Sequence, residues 1–165
     1  MNAIQLITDL KLQSHPEGGF FRETYRSSGV IPQNVLPEGF KGDRHYCTSI
    51  YLLLQQGDYS AFHRIKSDEG WHFYQGGPLL IHLISPEGSY LVVTMGNQPS
   101  LGQVFQFVVP ARYWFASEPA RGSEYSLVGC TVSPGFDFQD FEMAARESLT
   151  SLFPQHQSLI ERLSR

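Results

Sequence analysis

Turn signals recur along this chain at such short intervals that long helices have no room over most of its length. Between Phe20 and Val132 the breaks fall at Gly57-Asp58, Lys66-Ser67-Asp68 with Gly70, Gly76-Gly77-Pro78 and Pro86-Glu87-Gly88-Ser89. Two more run through Gly96 to Gly102 and Glu118 to Glu124. Each is made of residues that tolerate or impose turn geometry. The segments between them are short, β-branched and aromatic, which is what a pleated, half-buried surface selects. They read as eight or nine strands: Phe20 to Arg26, His45 to Gln56, Tyr59 to Ile65, Trp71 to Gln75, Leu79 to Ser85, Tyr90 to Met95, Val104 to Val109 continued by Tyr113 to Ser117, and Tyr125 to Val132. Antiparallel strands in an unbroken series close into a sandwich or a barrel, so the expected class is all-β.

Helices belong to the two ends. Ile4, Leu6, Ile7 and Leu10 lie at helical spacing within Ala3 to Leu12, and His15-Pro16-Glu17-Gly18-Gly19 stops that helix. From Phe138, the positions Phe141, Ala144, Ala145, Leu149 and Leu152 again keep a helical period. Asp137, Asp140 and Glu142 crowd the expected first turn, where acids suit the positive end of the dipole. Pro154 ends this helix, and a short one follows through Leu159 and Leu163. Ser27 to Arg44 has little periodicity and reads as a long lid, binding or contact loop.

The chain has 165 residues, which predicts a single domain over 1–165 with a core that needs no staples. A formal charge of -4 argues against a nucleic-acid partner. Cys47 and Cys130 each sit in an apolar run and read as buried thiols in a reducing compartment. There is no basic leader, and no apolar run reaches the ~20 residues that span a bilayer. A soluble, cytoplasmic protein without a membrane partner is the expectation.

Chemistry concentrates in GDYSAFHRIKSDEGWHFYQGG, Gly57 to Gly77, which reads as strand, turn, strand. His63, Glu69 and His72 fall within ten residues there, a density that packing does not require. An imidazole titrates near neutrality, so His63 oriented by a carboxylate suits general acid–base work. The same three side chains, two His and one carboxylate, are also a facial metal triad. Strict alternation puts residues 69, 71 and 73 on one face and His72 on the other, so such a triad requires a bulge at Gly70. Trp71 and Trp114 are either core or a stacking surface for a ligand. Arg22, Arg64 and Arg112 lie on strands or strand ends, where a guanidinium clamps an anion or simply stays solvated. His15 and Glu17 read as shaping their turn, and His82 in LIHLIS as a satisfied strand residue. Gly129 marks a bulge or a close backbone approach. Cys130 has no basic neighbour in sequence and is not expected to be a nucleophile.

The same stretch resembles the first cupin motif. In that family a Gly is followed after five residues by His-x-His, then three or four residues, Glu, six residues and Gly. Gly57, His63, Glu69 and Gly76 keep that spacing, while Ile65 stands where the second His belongs. Pro110-Ala111-Arg112 is nearest to the second motif, with Phe115 in place of its His. Four blocks, HPEGGFFRETYRS (His15 to Ser27), SDEGWHFYQGGPL (Ser67 to Leu79), VVPARYWFA (Val108 to Ala116) and YSLVGCTVSPGFDFQDFE (Tyr125 to Glu142), look like the DUF985, or cupin-5, subfamily.

That resemblance implies a cupin jelly-roll barrel (a double-stranded β-helix) with short N-terminal and C-terminal helices, usually a homodimer. It implies similarity in shape to sugar-nucleotide epimerases, which use a His with a Tyr acid. Tyr51, Tyr59, Tyr74 and Tyr113 are then candidates for that acid. The leading expectation is a small polar ligand of sugar or nucleotide-sugar type in the barrel, isomerised or epimerised by His63 with Glu69 orienting it. Tyr51, Trp71, His72, Trp114 and Arg22 complete the expected ligand site. A non-catalytic ligand-binding protein is the first alternative. A metal-dependent cupin enzyme using His63, Glu69 and His72 is the second, although no cofactor is required by the leading expectation.

Overall fold

Two antiparallel sheets face one another and close the barrel. The computed structural model describes residues 2–165. Its strands, in chain order, are β1 (Gln13–Ser14), β2 (Phe20–Arg26), β3 (Val30–Ile31), β4 (Arg44–His45), β5 (Thr48–Gln55), β6 (Ser60–Arg64), β7 (Asp68–Gly76), β8 (Leu79–Ile84), β9 (Tyr90–Met95), β10 (Gln106–Val109), β11 (Trp114–Pro119), β12 (Tyr125–Ser133) and β13 (Glu142–Met143). One sheet has the order β1-β2-β5-β12-β7-β10, the other β13-β6-β11-β8-β9, and β3 and β4 form a separate pair. Between the sheets, Leu52, Leu54, Trp71, Phe73, Ile81, Leu83, Phe115 and Val128 make the dry core of the barrel. Among the described residues, no helix is long and apolar enough to cross a membrane.

Helices α1 (Ala3–Asp9), α2 (Arg146–Leu152) and α3 (Gln157–Leu163) cover outer faces. Asn2 caps α1 and completes a reciprocal capping box with Gln5. Leu6 of α1 packs on Leu53 and Leu127, the outward residues of β5 and β12. Leu149, Ile160 and Leu163 of α2 and α3 cover Phe62, Trp114 and Ala116. Outward and inward residues alternate along each strand, so both faces of the barrel wall are buried where a helix lies on it.

Two segments depart from the sequence expectation. Val104 to Ser117 is not one continuous strand. Arg112, at φ 68°, turns the chain and donates its N–H to the Ile65 carbonyl at 2.8 Å. β10 consequently joins the first sheet and β11 the second. The C-terminal helix begins at Arg146, not near Phe138, because tertiary contacts claim the intervening acids. Asp137 caps a single 3-10 turn, Asp140 binds Arg44, and Glu142 pairs with Arg64 on the edge strand β13. The loop 27–44 carries β3 and a 3-10 turn, and ends at β4. Gly129 does meet a close neighbour: the Tyr74 ring lies over it, with Cζ 2.8 Å from where a Cβ would sit.

Candidate functional site

His63 sits on β6 directly opposite Phe115 of β11 and Met143 of β13, and it points inward. Its ring lies 4.1 Å from the Phe115 ring and 5.3 Å from that of Phe141, centroid to centroid. Nδ1 is 2.7 Å from the Ala61 carbonyl and 3.1 Å from Glu17 Oε2. A carbonyl only accepts, so the ring hydrogen is on Nδ1. Burial pushes the proton affinity of His63 down, against the opposing pull of Glu69 and of the Ala61 hydrogen bond. The neutral imidazole is the resident form, with Nε2 as its basic atom.

Glu69 is the second residue of β7, between Val132 of β12 and Val109 of β10. Burial drives its carboxyl up to about 7, although His63 and a hydrogen bond from the Cys130 thiol oppose the shift. The Cys130 thiol is itself pushed well up by burial and by Glu69, so it remains protonated. The site therefore holds an imidazole without its second proton beside a carboxyl whose proton affinity burial has raised toward neutrality. Groups with proton affinities moved toward each other in this way suit acid–base chemistry.

Glu17 reaches this site from the turn before β2. Gly18 (φ 123°) and Gly19 (φ 74°) occupy conformations that disfavour side chains. They let the chain double back, with Gly18 N–H on the His15 carbonyl at 3.1 Å and His15 N–H on the Gly19 carbonyl at 3.0 Å. The Glu17 carbonyl accepts the Ala61 N–H at 2.9 Å, which ties the turn to β6 beside His63. Burial raises the Glu17 carboxyl as well, with His15 among the opposing influences. His15 stands edge-on to Phe21 at 4.4 Å. The reading of His15 and Glu17 as turn residues is thus half of their role, since both side chains also line the cavity.

These groups share one cavity of about 420 Å³ at the mouth of the barrel. Phe21, Ile50, Ile65, Val132, Phe136, Phe138 and Phe141 supply its apolar wall. Glu23, Arg26, His45 and Asp137 stand among the polar lining residues. A register shift between Glu23 and Tyr25 turns Arg26 onto the same face as Phe21 and Glu23, where simple alternation would have put it outside. Arg26 then grips Glu23 with contacts of 3.0 and 2.6 Å, and Nη1 donates to the Phe136 carbonyl at 3.2 Å. HPEGGFFRETYRS and the SPGFDFQDFE end of the last block, which the sequence marks only by family resemblance, converge here and supply all of these polar residues but His45.

Of the expected site, the cavity gathers His63 and Glu69. Trp71 shares their inward face but lies in the core, edge-on to Phe115. Trp114 faces outward beneath α2 and α3, with the Arg64 guanidinium 4.4 Å above its ring. Tyr51 and Arg22 are on the outer face, where Arg22 stacks over Tyr51 at 5.8 Å. Tyr59, Tyr74 and Tyr113 are not among the lining residues either. His72 lies on the opposite face of β7 from Glu69, because β10 and β12 pair through Gly70 without the required bulge.

The donor set for a cupin metal is incomplete. Ile65 and Phe115 occupy the positions of the missing imidazoles, and both are buried apolar side chains. Among the described residues, no group of three or more His, Cys, Asp or Glu is arranged to hold a metal ion. The residues present do not fit that metal.

Comparison with known proteins agrees with the barrel. Residues 4–144 match the family described as Cupin superfamily (DUF985). An uncharacterized protein of Saccharomyces cerevisiae is 33% identical over 145 residues, covering 82% of this chain and 72% of its own. A crystal structure from Shewanella oneidensis superposes with TM-score 0.88 at 41% identity, covering 100% of this chain and 98% of that one. A hypothetical protein from Leishmania major gives TM-score 0.90 at 36% identity, over 99% of each chain. Oxalate decarboxylase from Bacillus subtilis superposes with TM-score 0.55 at 13% identity, over 91% of this chain and 36% of that one, which is a likeness of fold.

Proposed function

The chain belongs to the DUF985 family of the cupin superfamily, and from that premise we propose that it binds a small polar molecule at the barrel mouth and moves a proton on it. The reaction class is isomerisation or epimerisation next to a carbonyl, on a ligand of sugar type. His63 Nε2 is the base, Glu69 the acid, and Glu17 with the Ala61 carbonyl holds the imidazole in the required tautomer. The observation that carries this reading is the pairing of a neutral, anchored imidazole with a carboxyl at about 7 on one cavity. Two carboxyl groups, a base and an apolar wall converge where a ligand would exclude water, which is how small-molecule sites are usually built.

Exchange of solvent deuterium into the carbon beside the carbonyl of a bound aldose or ketose, followed by mass spectrometry, tests the reaction. Wild-type protein should exchange, and His63→Gln should lower the rate about 10²–10⁴-fold at saturating ligand, beside a smaller loss of affinity for the one hydrogen bond that Nε2 accepts. A wild type that binds its ligand without exchange would leave the non-catalytic binding protein as the correct reading. The apolar substitutions at Ile65 and Phe115 favour that second reading over a metal enzyme. The free thiols Cys47 and Cys130 suit a reducing compartment such as the cytoplasm.

The proposed macromolecular partner is a second copy of this chain. β2 pairs with β1 at Phe20 and Phe21, leaving its outer edge from Arg22 to Arg26 without a neighbouring strand among the described residues. Tyr25 on that stretch is 54% exposed. An open edge carrying an aromatic needs cover, and a two-fold partner supplies it. Light scattering at micromolar concentration should give the dimer mass, and a monomer mass would remove this partner.

A further inference from the structure

The donor–acceptor balance of the cavity narrows its occupant further, resting on the reading above that the cavity binds a small polar molecule. His63 commits its ring hydrogen to the Ala61 carbonyl, so Nε2 offers a lone pair. His45 commits its Nδ1 hydrogen in the same way to the Ser27 carbonyl, at 2.6 Å. Glu17, Glu69 and Asp137 add carboxyl oxygens. Arg26 is the one guanidinium among the lining residues, and Glu23 and the Phe136 carbonyl already engage it. His15 is the exception, since its Nδ1 accepts the Glu17 N–H at 3.3 Å and its hydrogen is then on Nε2. The rest of what the walls present to a ligand is mostly acceptors, over an apolar aromatic floor.

We propose that the site selects a ligand rich in O–H or N–H donors and carrying no anionic group, such as a free or amino sugar. Phosphorylated and carboxylated forms, nucleotide sugars included, are rejected. An anion entering here would confront buried carboxyl groups without an uncommitted cation among the described lining residues. It would also lose part of its hydration against a largely apolar wall, where an unpaired charge is costly. A hydroxylated ring instead donates to the carboxyl oxygens and to His63 Nε2, and lays its C–H face on the phenyl wall. The raised proton affinities of Glu17 and Glu69 agree with a site that already disfavours negative charge.

Titration calorimetry with full-length protein tests this, using pentoses, hexoses and amino sugars, each beside its phosphate ester and its aldonate. The neutral or amino forms should bind, and the anionic forms at least about tenfold more weakly. Glu69→Gln should narrow the gap by admitting the anions. An amino sugar should gain affinity as pH rises through about 7, where Glu69 ionises, and a neutral sugar should not. Anionic forms that bind as tightly as their neutral parents would overturn the selection, and so would failure of every neutral and amino probe to bind. The deuterium readout separates this from the reaction. A neutral sugar that binds without exchange defeats the chemistry and leaves the selection standing, whereas a phosphate ester that binds and exchanges does the reverse.

Discussion

Replacing Arg44 by methionine is expected to destabilise the protein by roughly 3–5 kcal/mol, the usual consequence of leaving one partner of a buried ion pair alone. Arg44 Nε and Nη2 donate to the Asp140 carboxylate at 2.6 and 2.9 Å, and both side chains are almost fully buried, at 2% and 3% exposure. Nη1 adds the carbonyls of Lys41, Gly42 and Asp43, so the guanidinium also organises the end of the 27–44 loop. Burial would push the Asp140 carboxyl up, yet Arg44 and Lys66 together hold it below the usual range. Lys66, 3.2 Å from Asp140, remains in Arg44→Met and keeps the loss toward the lower figure. Urea denaturation reads the change. Arg44→Met combined with Asp140→Leu should recover most of it, since no buried charge is then orphaned. A loss for Arg44→Met below about 1 kcal/mol, the range of a solvated pair, would show that this contact does not hold the loop.

The loop matters for function because Asp140 lies between Phe138 and Phe141, two members of the cavity wall. Phe136, Phe138 and Phe141 pack against one another at 5.1 to 6.2 Å between ring centroids. The same ion pair explains why the helical period starting at Phe138 misleads. Three acids at a helix start are a local signal, but Arg44 and Arg64, 96 and 78 residues away from their partners, take two of them. The strands were legible for the opposite reason: turn chemistry at Gly57, Pro78 and Pro86 is local and needs no partner elsewhere. His63 and Glu69 were legible through their spacing on two consecutive strands, which the fold places in opposite sheets. Glu17 was not, because its approach to His63 depends on the two glycines reversing the chain and on its carbonyl bonding to Ala61. Arg26 was hidden by a single extra residue in β2, and Arg112 by a left-handed conformation that a non-glycine residue seldom adopts.

At pH 8, Glu69→Gln is expected to be more stable than the wild type by roughly 3 kcal/mol, at about 1.36 kcal/mol for each unit of difference in proton affinity. The folded carboxyl titrates at about 7 against an ordinary value of 4.5. Below 4.5 the folded and unfolded chains both hold the proton, and burial carries no electrostatic penalty. As pH rises from 4.5 the unfolded chain releases it while the folded chain retains it, so wild-type stability falls until the folded group ionises near 7. Glutamine stays neutral throughout and keeps the Cys130 thiol's acceptor, so it escapes that fall. His63 and His15, whose proton affinities burial lowers, act in the other direction: they lose stability as pH drops below 6.5. The difference between variant and wild type, followed by urea denaturation from pH 4.5 to 8, cancels the His15 contribution and leaves the carboxyl together with its coupling to His63. It should grow steadily and level off just above 7, and a flat difference would mean that Glu69 is already ionised in a hydrated site. Because the same proton is the one the proposed acid would donate, the pH at which the stability difference levels is also the pH above which deuterium exchange should decline.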